Sequence, residues 1–180
     1  MLTVQGLSHY DNPSPSVVTI GTFDGVHIGH RKILENVISE GRNTGLQSTL
    51  LTFFPHPRMV LQKDNSIKLL NTIEEKSEIL KAMGLDMLVV HPFTKKFSRL
   101  SATEFVRDML VEKLRVKKVI IGYDHRFGRN RNANFNDLRS FGNLFDFEVA
   151  EIPAQEIDAV SVSSTKIRKA LEVGDLETAT

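Results

Sequence analysis

The chain has 180 residues, 41% hydrophobic and 25% charged, an ordinary mixture for one domain with a sizeable core. Its 23 basic and 22 acidic side chains leave a formal charge of +1, which argues against nucleic acid as the main partner, since phosphate-backbone binders carry a large basic excess. Cysteine is absent, which excludes disulfides, thiolate zinc sites and cysteine nucleophiles, and apolar runs such as Val17–Ile20 and Met87–Val90 fall far short of a membrane span.

At the N-terminus, MLTVQGLSHYD lacks the basic-then-apolar order of a secretory signal, so a reducing cytoplasm and no membrane are expected. Val17–Phe23 reads as a first strand. Ile33, Leu34, Val37 and Ile38 then recur at helical spacing, with Gly45 as the stop. Ser48–Phe54 is a second strand, closed by Pro55 and Pro57. Thr72-Ile-Glu-Glu75 is a capping box for a helix that ends near Gly84, and Leu85–Val90 is a third strand. A second capping box, Ser101-Ala-Thr-Glu104, opens a helix to about Leu114. Val116–Ile121 is a fourth strand, and Asn134 caps a helix toward Phe141. Phe147–Ile152 is a fifth strand, followed by a polar loop and a helix from about Ser164 to Val173. Gly174 stops that helix and Asp175 caps another, five residues before the end, so the terminus reads as a cut before a further domain.

No repeat, low-complexity tract or linker interrupts this order, which implies one domain over residues 1–180. The β-α-β-α alternation predicts an α/β, doubly wound, mostly parallel Rossmann-like sheet, with ligands beyond the carboxyl ends of its strands.

Four motifs follow expected strands. Gly21-Thr-Phe-Asp24-Gly25-Val-His27-Ile-Gly29-His30 runs from a strand end into a helix start. Its glycines let a phosphate chain approach the backbone, and the helix N-terminus offers amides to an anion. His27 and His30 share a helical face and can donate to phosphate oxygens that gain charge in a transition state. A metal pair would need a third ligand, which is not evident. Ser163-Ser164-Thr165-Lys166-Ile167-Arg168 suits phosphate binding at a helix start, and equally a plain N-cap with a solvated basic face. Thr52-Phe-Phe-Pro55-His56-Pro57 suits an aromatic wall for a flat ring, and equally a strand end with core phenylalanines. In Gly122-Tyr-Asp124-His-Arg126-Phe127-Gly128-Arg129-Asn-Arg131, Asp124 can accept from a ribose or amide, Phe127 can stack, and the arginines can meet phosphates; the bland alternative is a solvated basic loop. Neither a P-loop nor a dinucleotide fingerprint is present, and Ser163-x-x-Lys166 lacks the partner motifs of a β-lactamase.

His27-Ile-Gly-His30 with Ser-Ser-Thr-Lys-Ile-Arg resembles the nucleotidyltransferase superfamily. All four motifs, in this order over about residues 15 to 178, closely resemble the N-terminal module of the bifunctional bacterial FAD synthetases, riboflavin kinase/FMN adenylyltransferase. The resemblance implies a nucleotidyltransferase fold of the His-x-Gly-His type and the reaction of ATP with FMN to give FAD and pyrophosphate, with Mg²⁺. It implies that His27, His30 and Arg168 are catalytic. ATP would be held by these three with Gly21, Thr22, Phe23, Asp24, Ser164 and Thr165, and the flavin by Pro55, His56, Pro57, Asp124 and Phe127. His125 departs from the aromatic often found there. The family's riboflavin kinase domain would lie C-terminal to this module. The alternatives are an adenylyl- or cytidylyltransferase for another small phosphorylated acceptor, and an idle nucleotide- or RNA-binding module suggested by Arg126, Arg129 and Arg131.

Overall fold

The computed structural model describes residues 1–62, 67–154 and 162–179. Six strands form one sheet: β1 Leu2–Gln5, β2 Ser16–Ile20, β3 Gln47–Phe54, β4 Met87–Pro92, β5 Val116–Gly122 and β6 Glu148–Ile152. All neighbouring pairs are parallel, in the spatial order β1-β4-β3-β2-β5-β6. The five expected strands are all present. β1 was not expected: its four residues LTVQ are too short and mixed to show a period, and pairing with β4 is what makes them a strand.

Alternate residues of the central strands feed two apolar layers, as the period-two geometry of a sheet requires. Val18, Ile20, Leu51, Val89, Val119 and Ile121 join one core. Val17, Leu50, Leu88, Val90 and Ile120 join the other. On the first face the short helix α4, Ala102–Glu104, continues as a π-helix over Phe105–Lys113, beside α5, Phe135–Phe145. Helices α1, Ile28–Thr44, and α3, Ile73–Met83, cover the second face through Ile33, Leu34, Val37 and Leu80. Covering both faces is what allows these strands to be near-continuously hydrophobic.

The expected helix ends hold. Both capping boxes form, at Thr72 with Glu75 and at Ser101 with Glu104, and Gly45 and Gly84 close their helices in left-handed conformation. Asn134 caps α5 within a further capping box, and Asp146 closes it at φ 60°. Chain order runs outward from β2 through β3 to β4, then returns to β5 and β6 on the other side. The switch point therefore lies between β2 and β5.

Candidate active site

A cleft of about 1050 Å³ opens at the carboxyl ends of β2 and β5. That is more than one nucleotide needs. β2 ends at Ile20, short of the expected Phe23, because the next residues leave the strand for a tight turn. Phe23 and Val26 both take positive φ, 46° and 40°, in a region that side chains other than glycine avoid. Glycine is required at two points. A Cβ on Gly21 would stand 2.9 Å from the Phe23 ring, and one on Gly25, at φ 82°, would stand 2.6 Å from Leu70.

The turn is held by buried tethers. The Thr22 carbonyl accepts from the Thr52 hydroxyl at 3.1 Å and from the Lys76 ammonium at 2.7 Å. Asp24, only 2% exposed, accepts the Leu70 and Asn71 amides at 2.9 and 3.4 Å and pairs with the Arg168 guanidinium. Its main-chain oxygen takes the Ser164 hydroxyl at 2.9 Å. Asp24 thus binds the first motif to the last, 144 residues away.

Two helix N-termini converge on this cleft. His27 is the N-cap of α1 and not part of its first turn, as the sequence had suggested; its Nδ1 accepts the His30 amide at 3.4 Å. That bond leaves Nε2–H as the outward donor of a neutral ring. His30 stacks on His27 with ring centroids 3.6 Å apart and lies 4.7 Å from Phe23. Burial lowers the pKa of both imidazoles. For His30 the neighbouring His27 and Lys76 push further in that direction, while Asp24 opposes the shift at His27. The second N-terminus belongs to the helix Ser164–Glu172, whose cap is Ser163, accepting from Lys166 at 3.3 Å; Ser163, Ser164 and Thr165 face the cleft. Arg168 lines the cleft too, but its Nε donates to the Lys68 carbonyl and its Nη2 to Asp24. It anchors the turn as well as facing the cleft, a double duty that the sequence did not show.

The residues expected on the flavin side divide. His56 and Pro57 line the cleft, and His56 caps the short helix α2, Pro57–Leu61, by accepting the Arg58 amide at 3.2 Å. Pro55, which follows a cis peptide bond, is exposed and lies outside the cleft lining; the structure gives it no contact there. Asp124 is an exposed carboxylate on the cleft wall. Phe127 reaches the cleft but is 6% exposed, its ring packed near Phe105 and Phe141 at 6.1 and 6.5 Å. It is wall more than free stacking platform.

Sequence reasoning missed Phe93, Phe97 and Lys76. Phe97 lies 5.5 and 5.6 Å from Phe53 and Phe93, forming an aromatic cluster on the cleft side of β3 and β4. For the two phenylalanines the available signal was a position just past the third strand, in His-Pro-Phe-Thr-Lys-Lys-Phe. The polar loop expected after the fifth strand falls mostly in residues 155–161, outside the described residues.

His125 stacks on Phe127 at 6.2 Å, and burial, with Arg131 adding to it, lowers its pKa from the ordinary 6.5 to about 4. Between those values the unfolded chain takes up a proton that the folded one refuses. Stability therefore falls as pH drops through that window, and above pH 6.5 the group contributes nothing. Urea midpoints measured from pH 7 to pH 4.5 should fall, and less so in His125→Phe. An equally steep fall in that variant would show that His125 is not the source. His27, His30, His56 and His91, all lowered, supply the remaining slope.

The model of the FAD synthetase family matches residues 9–166. This chain belongs to the FAD synthetase family. Among curated relatives, the bifunctional riboflavin kinase/FMN adenylyltransferase of Buchnera aphidicola (Schizaphis graminum) is 39% identical over 92% of this chain and 54% of its own length. That of Listeria monocytogenes is 37% identical over 91% of this chain and 52% of its own. The chain therefore spans about half the length of these relatives. A solved structure titled a macrolide-efflux protein from Streptococcus pneumoniae is 28% identical with a TM-score of 0.86, covering 99% of this chain and 59% of that one. No helix among the described residues is long and apolar enough to cross a membrane.

Proposed function

We propose that this chain transfers the adenylyl group of ATP to FMN, giving FAD and pyrophosphate. The observation that carries the reading is the convergence of two helix N-termini and the stacked His27–His30 pair on a cleft walled by aromatic rings. Helix N-termini favour anions, and rings of Phe53, Phe93 and Phe97 favour a flat apolar face. A ligand that is part polyphosphate and part flat ring fits both.

In this reading the FMN phosphate attacks the α-phosphorus of ATP in line. One P–O bond forms, the α–β bridge breaks, and its electrons leave with pyrophosphate. The nucleophile arrives ionised, so no base is needed and the protein aligns and neutralises. His27 and His30 donate as neutral imidazoles, Ser164, Thr165 and the turn Gly21 to Asp24 supply the phosphate cradle, and Arg168 contributes charge at its edge. His56, Pro57, Asp124 and Phe127 border the flavin, with Pro55 outside. The described residues include no group of three or more His, Asp or Glu side chains able to hold a metal. The Mg²⁺ of the reaction is read as part of the nucleotide substrate, carried on its phosphates. Riboflavin phosphorylation is assigned to the half of the relatives that this chain does not cover.

Incubating the chain with ATP, Mg²⁺ and either FMN, riboflavin or pantetheine phosphate, with products separated by chromatography, tests this. FAD and pyrophosphate should form from FMN alone. Transfer to pantetheine phosphate and not to FMN would replace the acceptor, and FMN made from riboflavin would overturn the division between the two halves.

A further inference from the structure

Among the described residues, Lys76 is the buried charged side chain whose presence neither the motifs nor the proposed chemistry explains. It is 4% exposed, on a helix whose other buried residue is Leu80. A buried lysine is costly unless its charge is matched and its donors are used. Here Nζ donates to the Thr22 carbonyl at 2.7 Å, and Asp24, itself buried, supplies the nearby negative charge. Burial pulls the ammonium below its ordinary 10.5, with Asp24 opposing. A second small cavity, of about 10 Å³, is bordered by Thr22, Asp24, Asn71 and Lys76, and the Asn71 side-chain oxygen is buried without a partner among the described residues. This cavity, which Phe53, Leu69 and Ile73 also border, lies behind the turn and shares Thr22 and Asp24 with the cleft.

The peptide bond is planar and trans, so its carbonyl and the following amide point in opposite directions. The Thr22 carbonyl is drawn inward by Lys76 and Thr52. The Phe23 amide must then point away from them, and Phe23 lines the cleft. The same tether holds Phe23 in its left-handed conformation at φ 46°, which an untethered phenylalanine would leave.

We propose that Lys76 is a positioning residue: through the Thr22 carbonyl it locks the peptide that aims the Phe23 amide at a bound phosphate. This rests on the reading of the cleft as an ATP site. Lys76 touches no substrate itself; it acts from behind the turn, where an apolar residue would leave the Thr22 carbonyl held by the Thr52 hydroxyl alone.

Lys76→Met keeps the length and apolar body of the side chain and removes the ammonium. Calorimetric ATP binding, steady-state KM values and the ¹⁵N–¹H resonance of Phe23 would be compared with the unmodified chain. In the unmodified chain the Phe23 amide should shift on saturation with ATP. Lys76→Met should bind ATP about tenfold or more weakly, the scale of one hydrogen bond to a charged group. Its KM for FMN should stay within about twofold, the scatter expected where no contact is lost. A general loss of packing would not separate the two substrates. A folded Lys76→Met that binds ATP as well as the unmodified chain overturns the proposal, as does a Phe23 amide indifferent to ATP. If Lys76→Met does not fold, Thr52→Val decides, since it removes the other donor from the same carbonyl; unchanged ATP affinity there overturns the tether. An unmodified chain that binds no ATP would instead overturn the reading of the cleft.

Discussion

Replacing His30 with alanine should reduce FAD formation by a hundredfold to a thousandfold, the cost of one lost donor to a transition-state oxyanion, about 3–4 kcal/mol. His30 is held between Phe23 and His27, with centroids 4.7 and 3.6 Å away, so its ring has one available direction and no rotamer to search. Kept neutral by burial and by the charge of Lys76, it offers a donor that does not titrate near neutral pH. His30 also belongs to the packing of the turn. Removing a ring from a stack costs about 0.5–1.5 kcal/mol beyond its buried area, so the melting temperature should drop by a few degrees. Turnover with saturating ATP and FMN, measured well below the melting point, separates the two effects. Undiminished turnover would remove His30 from the chemistry.

The second large effect is expected at the Asp24–Arg168 pair. Arg168→Ala leaves the Asp24 carboxylate, 3% exposed as a side chain, with two main-chain amides, no ion-pair partner in contact and only the nearby Lys76 as a cation. Breaking a buried pair from one side costs about 3–5 kcal/mol, a large part of a domain's stability. Activity should fall with it, because the turn and the last helix lose their common anchor. Adding Asp24→Asn removes that charge but also the counter-charge of buried Lys76, and should recover only a small part of the stability in denaturant titrations. It should not recover ATP use, since Arg168 also faces the cleft. If the single variant were as stable as its parent, the pair would be incidental to the fold. If the double variant regained full activity, Arg168 would serve only as an anchor.

The order of elements, the parallel sheet and the cleft's place at its carboxyl edge were legible in the chain. They depend on local signals: alternation of strands and helices, capping boxes at Thr72 and Ser101, and glycines closing helices at 45 and 84. That Gly21 to Asp24, His27 and His30 line the cleft was legible for the same reason, since a strand end, a glycine turn and a helix start are consecutive in sequence. Local signals failed wherever a partner distant in sequence decides. β1 is a strand because β4 lies beside it. Pro55 belongs to the cleft motif in sequence and lies outside the cleft in space.

Lys76 is the clearest case. Ile73, Lys76, Leu80 and Met83 follow one helical stripe, so the spacing placed a lysine on the apolar face of α3, yet a charged residue after a capping box reads as solvated. Only the tertiary structure brings the Thr22 carbonyl and Asp24 to it and makes its burial sustainable. In the same way sequence assigned Arg168 to phosphate, and the fold gave its guanidinium to Asp24 as well. Sequence determines which chemical groups stand at a strand end or helix start, because those contacts span a few residues. The partners of buried charges are chosen by packing across the whole chain, because a charge removed from water must be matched by whatever the fold places next to it.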